Sequence, residues 1–186
     1  VEHIVTKVSC KMEKWIKSRI AYEGNIFSVR EGKIKTGKGE EYPRQVVINP
    51  GGVGVVAILN GNVILIKQFR ISIENYILEI PAGRLEKGEK PKESARRELM
   101  EEVGCEAKTL QLLSEYYSGV GFSTEKMYIF LATDIKKKIA TPEVDEDIEM
   151  IELPLAEVKR MLDNGEFNDS KTIIGLREAL IRLRIK

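Results

Sequence analysis

The chain has 186 residues, 42% hydrophobic and 32% charged, with a formal net charge of +1. That is one domain's worth of polypeptide with enough apolar content for a core of its own, and the near-neutral charge argues against nucleic acid or anionic lipid as a partner. Apolar runs stop at strand length, as in VGVVAIL at 53–59, so no membrane span is expected, and no leader pattern opens the sequence, which points to the cytoplasm.

Cys10 and Cys105 lie far apart and outside any metal or redox spacing, so a reducing compartment is the default. His3 is the only histidine and sits near the terminus, which argues against catalysis or metal binding resting on histidine.

Residues 1–18, Trp15 and Ile16 among them, carry no motif. RIAYEGNIFSVREG at 19–32 and KIKTGKGEEY at 33–42 predict antiparallel strands with tight turns at Glu31-Gly32 and Gly37-Lys38-Gly39. The two β-branched runs VGVVAIL and NVILIKQF, joined at Asn60-Gly61, predict a hairpin. Another strand is expected over Tyr76–Ile80, then a loop at Pro81-Ala82-Gly83. Pro91 suits the first turn of a helix that runs to Val103, with Gly104 as its stop. Strands follow at 109–117, 126–133 and 147–152. Two helices close the chain, Leu155–Leu162 before Asn164-Gly165, and Lys171–Arg184 with an apolar stripe of Ile173, Leu176, Leu180 and Leu183. The fold class is therefore α+β, a mixed sheet with helices on its faces. An N-terminal antiparallel strand region occupies 1–48, and the main domain 49–186.

RELMEEVG at 97–104 is electrostatically odd. Glu98, Glu101 and Glu102 are helical neighbours at i+3 and i+4. They repel one another, and they stand in the last turn, where the helix dipole disfavours anions by about 0.3–1 kcal/mol each. Ala95, Leu99 and Val103 recur at four-residue spacing and can bury against the sheet, leaving the carboxylates to face out of the core. A hard divalent cation reverses the repulsion, because it takes clustered carboxylate oxygens as ligands.

From Gly83 the sequence GRLEKGEKPKESARRELMEEVGC fits G-x5-E-x7-R-E-U-x-E-E-x-G-U, where U is a bulky aliphatic. The matched positions are Gly83, Glu89, Arg97, Glu98, Leu99, Glu101, Glu102 and Gly104. At residue frequencies of about 6 to 7% such a match arises by chance roughly once in 10⁸ start positions. The pattern closely resembles the signature of the Nudix hydrolases; Cys105 replaces its last aliphatic and behaves as a small hydrophobe. The resemblance implies an α/β/α sandwich and hydrolysis of a nucleoside diphosphate linked to another group.

It further implies Glu98 and Glu102 as principal metal ligands and Glu101 as a further ligand or support for metal-bound water. The Ala82 carbonyl is an additional ligand, and Gly83 permits the tight loop. Glu89 and Arg97 are a structural ion pair. Two or three Mg²⁺ ions, or Mn²⁺, are expected.

QFRISIENYILEIPAGRLEKGE at 68–89, RQVVINPGGVGVVAIL at 44–59 and GFSTEKMYIFLA at 121–132 are similar to the ADP-ribose pyrophosphatase branch of that family. In that branch the arginine at the Arg70 position contacts the diphosphate or terminal ribose. Arg44 falls near the adenine, Phe27 and Tyr42 are candidates to stack the base, and Glu74 to touch the ribose. The catalytic base comes from a loop after the signature. In PEVDEDIEMIEL at 142–153, Glu146 aligns best, with Glu143 and Asp147 close behind. The branch's proline past the signature is absent here, where SGVGFSTE places Val120 instead. That loop lies near the distal part of the substrate, so GDP-sugars and other ADP-sugars stay open beside ADP-ribose. Dinucleoside polyphosphates and nucleoside triphosphates are a second reading, and a non-catalytic ADP-ribose sensor is a third. The branch also implies a homodimer whose N-terminal strands complete the partner's base pocket.

Overall fold

A computed structural model describes residues 12–138 and 148–185. Their contacts gather into two compact units, one made of the N-terminal strands to Asn49 with Gly119–Thr124, the other of the remainder from Pro50 onward.

In the first unit β1 (Lys14–Glu23), β2 (Ser28–Lys35) and β3 (Glu41–Ile48) form an antiparallel sheet in that order. The turn expected at Gly37-Lys38-Gly39 is present, closed by Thr36 N–H to the Glu40 carbonyl at 2.8 Å. The turn expected at Glu31-Gly32 is not. Both residues lie within β2, and Gly32 pairs with Ser18 on one side and Arg44 on the other. A Cβ at Gly32 would stand 2.1 Å from the Lys17 carbonyl oxygen, beside a register irregularity in β1. The glycine serves close strand approach there, not chain reversal. The reversal falls at Gly24–Phe27, where the Gly24 amide donates to the Phe27 carbonyl at 3.1 Å. Trp15, without a motif in the sequence, lies in β1 under the Arg30 guanidinium at 4.6 Å, and Arg30 donates twice to the Ser18 hydroxyl at 2.9 and 2.8 Å. Gly119–Thr124 joins this unit through Val47, which donates to Phe122 at 2.7 Å and accepts from Thr124 at 3.0 Å.

The second unit is a mixed sheet between helical layers. β4 (Gly52–Leu59) and β5 (Asn62–Arg70) are joined at Asn60-Gly61, both residues with positive φ (50° and 82°), the backbone a tight hairpin turn requires. β4 runs parallel to β9 (Lys126–Lys137), which pairs with β8 (Cys105–Tyr117). β10 (Ile148–Pro154) takes the other edge of β5.

Beyond the hairpin turn β4 and β5 part. The gap is filled by β6 (Asn75–Glu79) on β5 and by a short β7 (Ala82–Arg84) on β4. The segment expected as a loop at Pro81-Ala82-Gly83 thus includes a strand, its bend tied by the Val55 amide to the Pro81 carbonyl at 2.8 Å.

Side chains alternate along β4 and β5. Val53, Val55, Ala57, Ile64 and Ile66 pack with Ala95, Leu99 and Val103 of α1 (Pro91–Val103). Val56, Val63 and Leu65 pack with α2 (Leu155–Asp163) and α3 (Ser170–Arg182) on the opposite face. This is the expected α/β/α sandwich. Among the described residues no helix is long and apolar enough to cross a membrane.

Candidate active site

α1 starts and stops where local chemistry dictates. Pro91 occupies its first turn, and Gly104 ends it in the left-handed conformation at φ 58°, its amide donating to the Met100 carbonyl at 3.0 Å. Burial of Ala95, Leu99 and Val103 then fixes how the helix is rotated.

The carboxylates do not all face outward as the periodicity suggests. Glu98 and Glu102 are only 8% and 5% exposed, while Glu101 stays partly exposed. The cause is β7, which lies across them. The Ala82 amide donates to Glu102 Oε2 at 2.8 Å, and a Cβ on Gly83 would fall 1.9 Å from the Glu98 carboxyl carbon. Only a residue with no side chain lets the Glu98 carboxylate sit against this strand.

Arg97 is the hub of the surrounding charges. Its guanidinium grips Glu89 through two hydrogen bonds at 3.0 and 3.1 Å and reaches the Arg84 carbonyl at 3.1 Å. Its Nη1 also donates to Glu98 at 2.8 Å and Glu101 at 2.9 Å. The expected Glu89–Arg97 clamp is therefore present, and it fastens the loop after β7 to the helix.

Hydrogen bonds from Arg97 hold the Glu89 carboxyl down at about 2 against an ordinary value of 4.5, outweighing the upward push of burial. A lowered folded-state pKa stabilises above the unfolded value and loses that contribution as pH falls toward the folded one. Acid titration of unfolding should therefore show roughly 2–3 kcal/mol more loss between pH 4.5 and 2 in the parent than in Glu89→Gln. Equal acid limbs would remove Glu89 from the account of stability.

Three carboxylates, those of Glu89, Glu98 and Glu101, thus accept hydrogen bonds from one guanidinium. Among the described residues no three histidine, cysteine, aspartate or glutamate side chains stand together as a ready metal cage. In the arrangement seen, Arg97 supplies the countercharge between Glu98 and Glu101, and Glu102 turns to the Ala82 amide. The donor set nevertheless fits a hard divalent cation: carboxylate oxygens in excess of positive charge, two of the three buried, against a strand whose glycine leaves the room.

A second cluster surrounds Arg70, whose partners Glu79 and Lys171 carry no assignment from the sequence. Glu79, at the end of β6, is 1% exposed. Arg70 of β5 holds it with two hydrogen bonds, Nε at 2.6 Å and Nη2 at 2.9 Å, and Lys171 of α3 holds it from the other side. Burial pushes the Glu79 carboxyl up, but the Arg70 hydrogen bond and the Lys171 charge bring it below the ordinary range. The hydrogen bond to Glu79 raises Arg70 against desolvation, and the charge of Glu102 adds to this, which places Arg70 in the field of the acidic helix. The signal for Glu79 was a lone carboxylate at an inward position of the apolar strand YILEI.

Glu74 sits exposed in the turn between β5 and β6 with φ 51°. Phe27, Tyr42 and Arg44 belong to the strand unit. Phe27 meets Tyr22 with ring centroids 5.7 Å apart, and Arg44 lies 5.9 Å over the Tyr42 ring and pairs with Glu13 at 2.9 Å. Both aromatics keep about two-fifths of their surface exposed, Phe27 39% and Tyr42 43%. Glu143, Glu146 and Asp147 lie outside the described residues.

Comparison with known proteins agrees with this geometry. The NUDIX domain family model matches residues 49–174. The chain is 36% identical over 176 residues to the ADP-ribose pyrophosphatase of Bacillus subtilis (strain 168), covering 90% of this chain and 95% of that one. It is 34% identical over 177 residues to a methanol dehydrogenase activator of Bacillus methanolicus, covering 94% and 96%. A crystal structure of an ADP compounds hydrolase superposes with a TM-score of 0.85 over 95% of this chain and 96% of that one, at 24% identity, a likeness of fold. The chain belongs to the Nudix family and is one of its diphosphatases.

Proposed function

We propose that the enzyme hydrolyses the diphosphate bond of ADP-ribose, giving AMP and ribose 5-phosphate, with Mg²⁺ as its ion. The observation that carries the choice of substrate is the near full-length similarity to a protein named ADP-ribose pyrophosphatase, N-terminal strands included. Glu98, Glu101 and Glu102, with the Ala82 carbonyl, would hold the two or three ions; Mn²⁺ suits the same oxygens. Bound there, divalent ions neutralise the diphosphate and lower the pKa of an attacking water.

The chain's own residues do the rest. Arg70 presents a fixed planar donor to the phosphate oxygens, a task a guanidinium suits better than an ammonium. Arg97 and Glu89 keep the acidic helix and the loop in register, so the three carboxylates stay clustered despite their repulsion. Phe27 and Tyr42 offer ring faces for the adenine, with Arg44 beside them, and Glu74 reaches the terminal ribose. Glu146 takes the proton from the attacking water, with Glu143 and Asp147 as the neighbouring candidates. The working unit is a homodimer in the cytoplasm.

The test is a panel: ADP-ribose, ADP-glucose, GDP-mannose, NADH, diadenosine polyphosphates and 8-oxo-dGTP, each with Mg²⁺, followed by AMP or phosphate release. The highest kcat/KM is expected on ADP-ribose. Preferential turnover of triphosphates, or of GDP-mannose, would replace it as substrate. Mobility on a sizing column tests the dimer.

A further inference from the structure

Arg70 stands at one end of an alternating chain of charges that crosses the second unit. Its Nε and Nη2 edge is taken by Glu79. Glu79 is shared with Lys171, and Lys171 in turn binds Asp169 at 3.0 Å. Asp169 caps α3, accepting the Thr172 amide at 2.9 Å and the Thr172 hydroxyl at 2.6 Å. The Thr172 hydroxyl oxygen also accepts from the Ile80 amide at 3.0 Å, so the helix is fastened to the strand end that leads into Pro81-Ala82-Gly83.

Three members are closed in: the side chains of Glu79, Lys171 and Asp169 are 1%, 14% and 17% exposed, whereas that of Arg70 is 37% exposed. Among the described residues Arg70 Nη1 has no protein acceptor, so the free nitrogen belongs to the most exposed member of the chain.

Glu79 is itself held from two sides, by Arg70 and by Lys171, and Lys171 is held in turn by Asp169. The four charges alternate and sum to zero, so every closed-in charge has a partner. With its Nε and Nη2 edge fixed on an anchored carboxylate, Arg70 keeps one direction for the remaining Nη1.

We infer that Glu79, Lys171 and Asp169 are positioning residues that aim Arg70 at the diphosphate, coupling the C-terminal helix to substrate binding. This rests on the proposed contact of Arg70 with phosphate and concerns groups that themselves touch no substrate.

A double-mutant cycle tests it: wild type, Arg70→Ala, Glu79→Gln and the double variant, with kcat and KM on the diphosphate substrate the wild type cleaves best, and melting temperature alongside. If Glu79 acts through Arg70, Glu79→Gln raises KM about tenfold while kcat moves less than about threefold. Arg70→Ala then raises KM at least as much, and the double variant is no worse than Arg70→Ala alone. Equal fold losses from Glu79→Gln in both backgrounds, or a lower melting temperature with unchanged KM, would overturn the inference. An Arg70→Ala variant with unchanged KM would instead overturn the phosphate contact on which it rests. Should Glu79→Gln fail to fold, Lys171→Ala carries the same cycle: it removes the second anchor of the Glu79 carboxylate, and KM should rise where Arg70 is present and stay level in the Arg70→Ala background.

Discussion

Glu102→Gln should lower turnover about a hundredfold or more while leaving the fold as stable as before, or more so. The substitution is nearly isosteric, and the amide oxygen can still accept the Ala82 N–H that Glu102 accepts at 2.8 Å. What disappears is one negative charge beside Glu98, at helical i+4, in the turn where the dipole already opposes anions. Stability should therefore gain a few tenths of a kcal/mol or stay level. Activity should collapse, because an amide is a poor ligand for a hard cation where a carboxylate is a good one. Turnover on ADP-ribose and a urea unfolding curve decide it. A sharp fall in stability with turnover intact would mark Glu102 as structural.

Gly83→Ala should act through Glu98. The added Cβ would stand 1.9 Å from the Glu98 carboxyl carbon and Oε1 and 2.3 Å from Oε2, too close for either to remain. β7 is pinned to β4 and α1 is pinned by its core stripe, so the carboxylate is the part that must move. Overpacking of this kind costs about 1–3 kcal/mol, and turnover should fall at least tenfold with the displaced carboxylate. The cause is checked by adding Glu98→Ala: relief of the clash should return most of the stability and none of the turnover. Additive destabilisation would place the damage in the strand backbone instead.

Elements governed by neighbouring residues were legible in the amino-acid sequence, and those governed by distant ones were not. Pro91 and Gly104 bound α1 from within its own sequence, and Asn60-Gly61 carries the hairpin by its own backbone preferences. Gly32 misled because its lack of a side chain answers to Lys17, a strand away, and not to a turn. Glu98 and Glu102 were read as outward-facing and are not, since β7 closes over them from the segment read as a loop. The partners of Glu79 could not be read locally because they are 9 and 92 residues away. The metal-ligand candidates were legible as a motif, whereas the relay behind Arg70 needed the fold.

Manganese is the direct probe of the central claim, since it substitutes for magnesium and scatters anomalously. Crystals soaked in Mn²⁺ with a non-hydrolysable ADP-ribose analogue should show anomalous peaks within bonding distance of Glu98 and Glu102, bridged to the diphosphate. A nucleotide bound with no peak at these carboxylates, and Arg97 still spanning Glu98 and Glu101, would contradict it.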